Sequence, residues 1–106
     1  MVMDNLGVNL SYYVERFNQG FDVKTVCHIG IQLLDRIEAL HKIGILHLDI
    51  KPDNMCLGDK NQEVSLIDFG LSKRWHHKGL HVAHKGNVPF CGHLIFASKW
   101  AAFGET

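Results

Sequence analysis

The chain has 106 residues, of which 46% are hydrophobic and 21% charged, and its 11 basic and 11 acidic side chains cancel. That length supports one small core, that composition argues against disorder, and balanced charge gives no ground for nucleic acid or an anionic membrane as a partner. No stretch reaches the ~20 apolar residues of a membrane span, and the first ten residues lack the basic start and cleavage site of a signal peptide.

Residues 1–6 open apolar and extended, and Gly7 breaks the run. Ser11 is placed to cap a short helix over residues 12–18, which Gly20 stops. Tyr12, Tyr13 and Phe17 are expected to pack this helix onto the next. Asp22 is the second N-cap candidate. After it, Val26, Ile29, Leu33, Ile37 and Leu40 recur in steps of three and four, the pattern of one face of a helix about 20 residues long, which Gly44 ends.

Residues 45–48 form a short apolar run. Pro52 cannot donate to a ladder and disfavours helix before it, so residues 49–54 are expected as a loop. Residues 55–57 and 64–67 read as short strands around a polar turn at 58–63, which makes a hairpin. Residues 73–96 show no clean period, and a loop longer than about 15 residues is more often functional than accidental. Within it His77 and His81 have helical i,i+4 spacing, which admits a zinc site. A single nearby Cys91 and the lack of other helical signal favour a solvated, weakly basic loop. The three cysteines, Cys27, Cys56 and Cys91, are odd in number and widely separated, so they read as free thiols in a reducing compartment, cytoplasmic or nuclear.

The strongest pattern is His47-Leu48-Asp49-Ile50-Lys51-Pro52-Asp53-Asn54, followed just past the second strand by Asp68-Phe69-Gly70. Phosphoryl transfer needs a carboxylate beside the attacking hydroxyl, and Asp49 supplies one. It needs positive charge beside the γ-phosphate, which Lys51 offers. It needs hard oxygen ligands for magnesium, and a hairpin would bring Asn54 and Asp68 together as such ligands. Gly70 permits a sharp turn.

These two motifs resemble the catalytic loop and the magnesium-binding Asp-Phe-Gly of protein kinases, and Lys51-Pro52 is similar to the serine/threonine class. Residues 1–7, Lys24-Thr25-Val26, Arg36-Ile37-Glu38, His41, Lys73-Arg74-Trp75 and Ala97-Ser98 with Gly104 resemble the casein kinase 1 group. The resemblance implies an α+β, protein-kinase-like fold: a mostly helical partial C-lobe with a small β-hairpin and no N-lobe strands, spanning residues 1–106 as one partial domain. It implies ATP and Mg2+ as cofactors and a protein Ser/Thr hydroxyl as acceptor. Met3 would be the gatekeeper beside the adenine. The backbone of Asp4 and Leu6 would bond the purine edge, and Cys56 would lie under the ring where the family usually has Leu. His47 and Phe69 would be apolar spine residues.

Several residues depart from that pattern. Leu48 stands where most kinases have Arg, and residues 73–97 contain no Ser, Thr or Tyr, so activation by phosphorylating this segment is not expected. His93 replaces a Thr near the catalytic Asp, and Ile95 an Arg associated with acidic or phosphorylated substrates. The Gly-rich loop and strand Lys of a kinase are not among these residues, so the chain is expected to be a truncated kinase, inactive alone. Trp100 and Phe103 are expected to face core that lies beyond its end. The alternative is a non-catalytic, pseudokinase-like binding module or decayed fragment.

Overall fold

The structure, a computed structural model, describes residues 2–17, 20–58, 62–83, 86 and 88–104. After an extended leading segment, β1 (Val8–Asn9) runs directly into α1 (Leu10–Arg16). Asn9 caps α1, its Oδ1 accepting the Tyr12 N–H at 3.0 Å. The helix therefore starts two residues earlier than a Ser11 cap would place it, and Ser11 lies inside its first turn. An Asn in extended backbone competes well for the cap position, and β1 holds Asn9 in that conformation. The expected C-terminal residue Asn18 lies outside the described residues. The expected packing of three aromatics also needs correction: Tyr13 packs against the core, whereas Tyr12 and Phe17 are exposed.

The long helix is α2 (Val23–Lys42), capped by Asp22, whose Oδ1 accepts the Thr25 N–H at 2.7 Å. Its Ile29 and Leu33 face the core, while Val26, expected on the same face, is exposed. Gly44, at a positive φ of 81°, turns the chain out of α2 into β2 (Ile45–Leu46).

A loop follows, and it closes with a 3-10 turn over Pro52–Asn54. Next come β3 (Met55–Leu57) and β4 (Val64–Leu66), the expected hairpin. Leu57 pairs with Val64 and Met55 with Leu66. A third strand was not foreseen. β1 pairs antiparallel with β3, Val8 opposite Leu57 and Asn9 opposite Cys56, so the sheet order is β1-β3-β4. A two-residue strand carries no readable alternation, which is why sequence pattern alone missed it.

The segment expected as an unstructured loop contains regular pieces. β5 (Lys73–Arg74) pairs with β2. β6 (His76–His77) and β7 (Leu80–His81) form a tight hairpin whose two central residues, Lys78 and Gly79, both have positive φ, 49° and 79°. That is the backbone of a two-residue primed turn, which suits the twist of flanking strands. His76 faces His81 across this hairpin, so the helical spacing read for His77 and His81 does not apply. Among the described residues, no group of three or more His, Cys, Asp or Glu converges on a metal position. A 3-10 turn at Leu94–Phe96 and α3 (Lys99–Ala102), capped by Ser98, follow. Trp100 and Phe103 are exposed.

The core is small: Leu10, Met55 and Val64, the last fully buried, with Tyr13, Phe21, Ile29, Leu33, Ile50, Leu57 and Leu66 packed around them. It lies between α2 and the sheet. Polar clamps hold the free edge of β4 to α2. Gln32 donates from Nε2 to the Gln62 carbonyl at 3.1 Å and accepts the Val64 N–H at 2.9 Å. Arg36 donates to the Val64 carbonyl at 3.3 Å and pairs with Glu63 at 2.7 Å. The edge groups of a strand are thereby satisfied by side chains. None of the helices is long and apolar enough to cross a membrane, among the described residues.

Candidate active site

The loop between β2 and β3 carries Asp49, and the turn after β4 carries Asp68. Both stretches hold unusual backbone. Leu48 has φ +67° and Asp68 has φ +60°, although neither is Gly. A non-glycine residue in this region costs of order 1–2 kcal/mol, and such strain persists only where the surroundings impose it. Here it turns Leu48 outward, where it is 41% exposed, and Asp49 inward, where only 8% of it is exposed.

Burying a carboxylate is costly unless it is paired and hydrogen-bonded. Asp49 is both. Its Oδ2 lies 3.1 Å from Lys51 Nζ and accepts from Asn54 Nδ2 at 2.9 Å. The same Nδ2 donates to the Asp49 carbonyl at 2.8 Å. Both partners of the Asn54 nitrogen are acceptors, which fixes the orientation of the amide. It also leaves Asn54 Oδ1 without a hydrogen-bond donor among the described residues. The other Asp49 oxygen, Oδ1, looks toward Gly92, where a Cβ would sit 3.9 Å away.

His47 joins this loop to the β4 strand. Its Nδ1 lies 3.2 Å from the Asp49 N–H, which can only donate, so Nδ1 accepts. The proton therefore resides on Nε2, which donates to the Ile67 carbonyl at 2.9 Å. The ring packs edge-on against Phe69, centroids 5.0 Å apart. Ser72 Oγ donates to the His47 carbonyl at 3.3 Å. One further backbone bond closes the unit: the Ile67 N–H donates to the Asn54 carbonyl at 2.9 Å, so Asp68 follows immediately after a residue tied to Asn54. Asp68 Oδ1 accepts the Gly70 N–H at 3.1 Å, and the residue is otherwise exposed. Sequence reading placed His47 only as an apolar spine residue. Its bridging role was missed, and the spacing to Ile67 carried no signal for it.

The nucleotide-side candidates are less tightly assembled. Met3 and Asp4 are exposed on the leading segment and Leu6 is half-buried. Gly7, at φ +84°, passes so close to β3 that a Cβ there would collide with the Leu57 carbonyl oxygen. This approach sets the leading segment beside the strand that carries Cys56. Cys56 is 6% exposed, and burial raises the pKa of its thiol, so it serves as a small apolar group.

On the other side of Asp49, Leu48, Ile50, Phe90, Phe96 and Ala97 line a cleft of about 60 Å3 that also admits Asp49 and His93. Leu48 lines a second, larger hollow, about 250 Å3, with Leu71, Pro89 and Phe90.

The arrangement can thus present a buried, oriented carboxylate with a cation on one oxygen, with hard oxygen donors at Asn54 on the same loop and at Asp68 on the turn after β4. Compared with known families, the chain matches the family model described as the protein kinase domain over residues 1–97.

Proposed function

The chain belongs to the protein kinase domain family, and on that premise we propose that it carries the phosphoryl-transfer residues of a casein kinase 1-like serine/threonine kinase. The observation that carries the reading is the Asp49 carboxylate, with Oδ2 held by Lys51 and Asn54 and Oδ1 facing the cleft at Gly92. In this reading Oδ1 accepts the proton of the acceptor hydroxyl as that oxygen attacks the γ-phosphoryl. Lys51, 22% exposed on its side chain, places its charge beside the transferred group. Asn54 and Asp68 would hold the metal. Their donors fit it, because the free Oδ1 of Asn54 and the exposed carboxylate of Asp68 are hard oxygens of the kind magnesium takes. When bound, Mg2+ would neutralise charge on the phosphate oxygens.

Met3 and the backbone of Asp4 and Leu6 would meet the adenine, with Cys56 below the ring. The proximity of Gly7 to β3 supports that placement. The three cysteines are unpaired, which supports an intracellular, reducing setting as part of the proposal. Residues 1–7 and Ala97-Ser98 with Gly104 support the casein kinase 1 assignment by resemblance.

Leu48 favours a second reading, a kinase-like module that binds without transferring phosphate, because an apolar side chain faces solvent where most kinases have Arg. Two measurements separate the readings. Millimolar Mg-ATP should raise the unfolding midpoint of this chain, and Asp68→Ala should remove the shift. Absence of any shift in the unmodified chain ends the case for nucleotide binding. Phosphate transfer, where it is measured, should vanish with Asp49→Asn. A shift without transfer favours the second reading.

A further inference from the structure

The long helix α2 is apolar on two faces, and the core uses one of them. Ile29 and Leu33 pack inward. Cys27, Ile31 and Leu34 lie on the face turned away, with Ile31 63% and Leu34 67% exposed. They recur in steps of four and three, and Lys24 and Glu38 continue those steps to either side. This is the seam spacing of one helix packed along another. Beside the seam stands Gly30. A glycine destabilises a helix interior relative to alanine, and here nothing lies within 4 Å of where its Cβ would stand. Packing within the chain gives no reason for it, whereas the close approach of a second backbone does.

The charges choose the occupant. Lys24 and Glu38 stand seven residues before and after Ile31, two helical turns or about 10 Å each way. Two copies of α2 laid antiparallel about a two-fold axis at Ile31 bring Lys24 of each beside Glu38 of the other. A two-fold contact requires this kind of self-complementarity. The same pairing sets Gly30 near Gly30 and His28 beside Asp35. It also sets the exposed Val23 opposite the hollow that Ile37, His41 and Trp75 line near the end of α2. Parallel pairing would instead stack Glu38 on Glu38 and Lys24 on Lys24, and like charges in apposition exclude it. Among the described residues Lys24 has no ionic partner, and Glu38 holds only Lys42 of its own helix, at 3.0 Å through Oε1. Oε2 is left for the lysine of the second copy.

We propose that this face of α2 is the contact of an antiparallel homodimer of the chain, with Ile31 and Leu34 as its apolar centre and a Lys24–Glu38 pair at each end. None of Asp49, Asn54 or Asp68 takes part, so the contact stands or falls apart from the phosphoryl-transfer reading. So few apolar side chains per copy make a contact of the weak class, below about 1,200 Å2 in total, and dissociation is expected at roughly 10–1,000 µM.

Sedimentation equilibrium of the 106-residue chain, from about 10 µM to about 1 mM, tests the dimer. The mass should rise with concentration and level at twice the monomer, because a two-fold contact closes. Ile31→Asp, at an exposed position, should raise the dissociation constant at least about tenfold. Leu80→Asp, at a site 75% exposed on β7 and off this face, should leave it unchanged. Lys24→Glu should weaken the dimer about fivefold, and adding Glu38→Lys should restore it, which parallel pairing does not predict. A chain that stays monomeric to the highest concentration overturns the proposal. So does a mass that climbs past the dimer, or a dimer indifferent to Ile31→Asp. Should the charge-swapped double variant fail to fold, Ile31→Asp against Leu80→Asp still decides.

Discussion

His47 Nε2 donates to the carbonyl of Ile67 at 2.9 Å while its Nδ1 accepts the N–H of Asp49 at 3.2 Å. One buried ring thus sets the positions of both Asp49 and the residue before Asp68. Replacing it with Leu keeps much of the volume and strands a backbone donor and a backbone acceptor. Each unsatisfied buried group costs about 1–3 kcal/mol, so His47→Leu should destabilise the chain by about 3 kcal/mol. Urea unfolding measures this, and an unchanged midpoint would show that the bridge contributes nothing.

Asn54→Asp tests the packing around Asp49. The substitution sets a second carboxylate at 2.9 Å from Oδ2, and two like charges this close cannot both ionise without penalty. The variant should lose about 2 kcal/mol or more at neutral pH and recover part of it in acid, as one of the pair takes a proton. Thermal unfolding at several pH values reads the recovery. A loss that stays constant with pH would point to shape rather than charge.

The cap of α2 predicts a separate acid response. Hydrogen bonds from the Thr25 backbone and side chain hold the Asp22 pKa below its ordinary value. A depressed carboxylate adds stability that is present above its unfolded pKa and is lost as pH falls through the folded one. Helix content by circular dichroism should therefore exceed that of Asp22→Ala near neutrality. The two curves should converge in strong acid. Parallel curves down to the lowest pH would remove the cap from the account.

Gly7→Ala probes the leading segment. It combines a positive φ of 84° with a collision against the Leu57 carbonyl. The conformation alone costs about 1–2 kcal/mol for an L-residue, so a total of at least about 2 kcal/mol is expected. Cys56 should then become more reactive toward thiol reagents, because the segment that covers its strand is pushed away. Wild-type reactivity in the variant would show that this segment shields nothing.

Some of the local geometry was legible in the residues themselves. Asp49, Lys51 and Asn54 do form one polar group, and the β3–β4 hairpin ties Ile67, the residue before Asp68, to the Asn54 carbonyl, because the spacing of short strands around a polar turn is a local property. The Asp22 cap and the length of α2 were equally local. What escaped was set by partners distant in sequence. β1 exists because Cys56 and Leu57 pair with it, and β5 because β2 does. The bridge from His47 Nε2 ends on a carbonyl twenty residues away. The cap at Asn9 displaced Ser11 for the same reason, since β1 supplies the extended backbone that the cap needs.

The bond from the Ile67 N–H to the Asn54 carbonyl has a consequence for chain length. Asn54 and Asp68 are separated by many residues along the chain, yet the ladder, not that count, measures the distance between them. Residues inserted between Gly58 and Gln62 would lengthen the connection and leave the two donors where they are. A single residue inserted between Asn54 and Met55, or between Leu66 and Ile67, would slip the ladder and separate them. The tolerated and forbidden sites of insertion therefore lie only a few residues apart on the same hairpin.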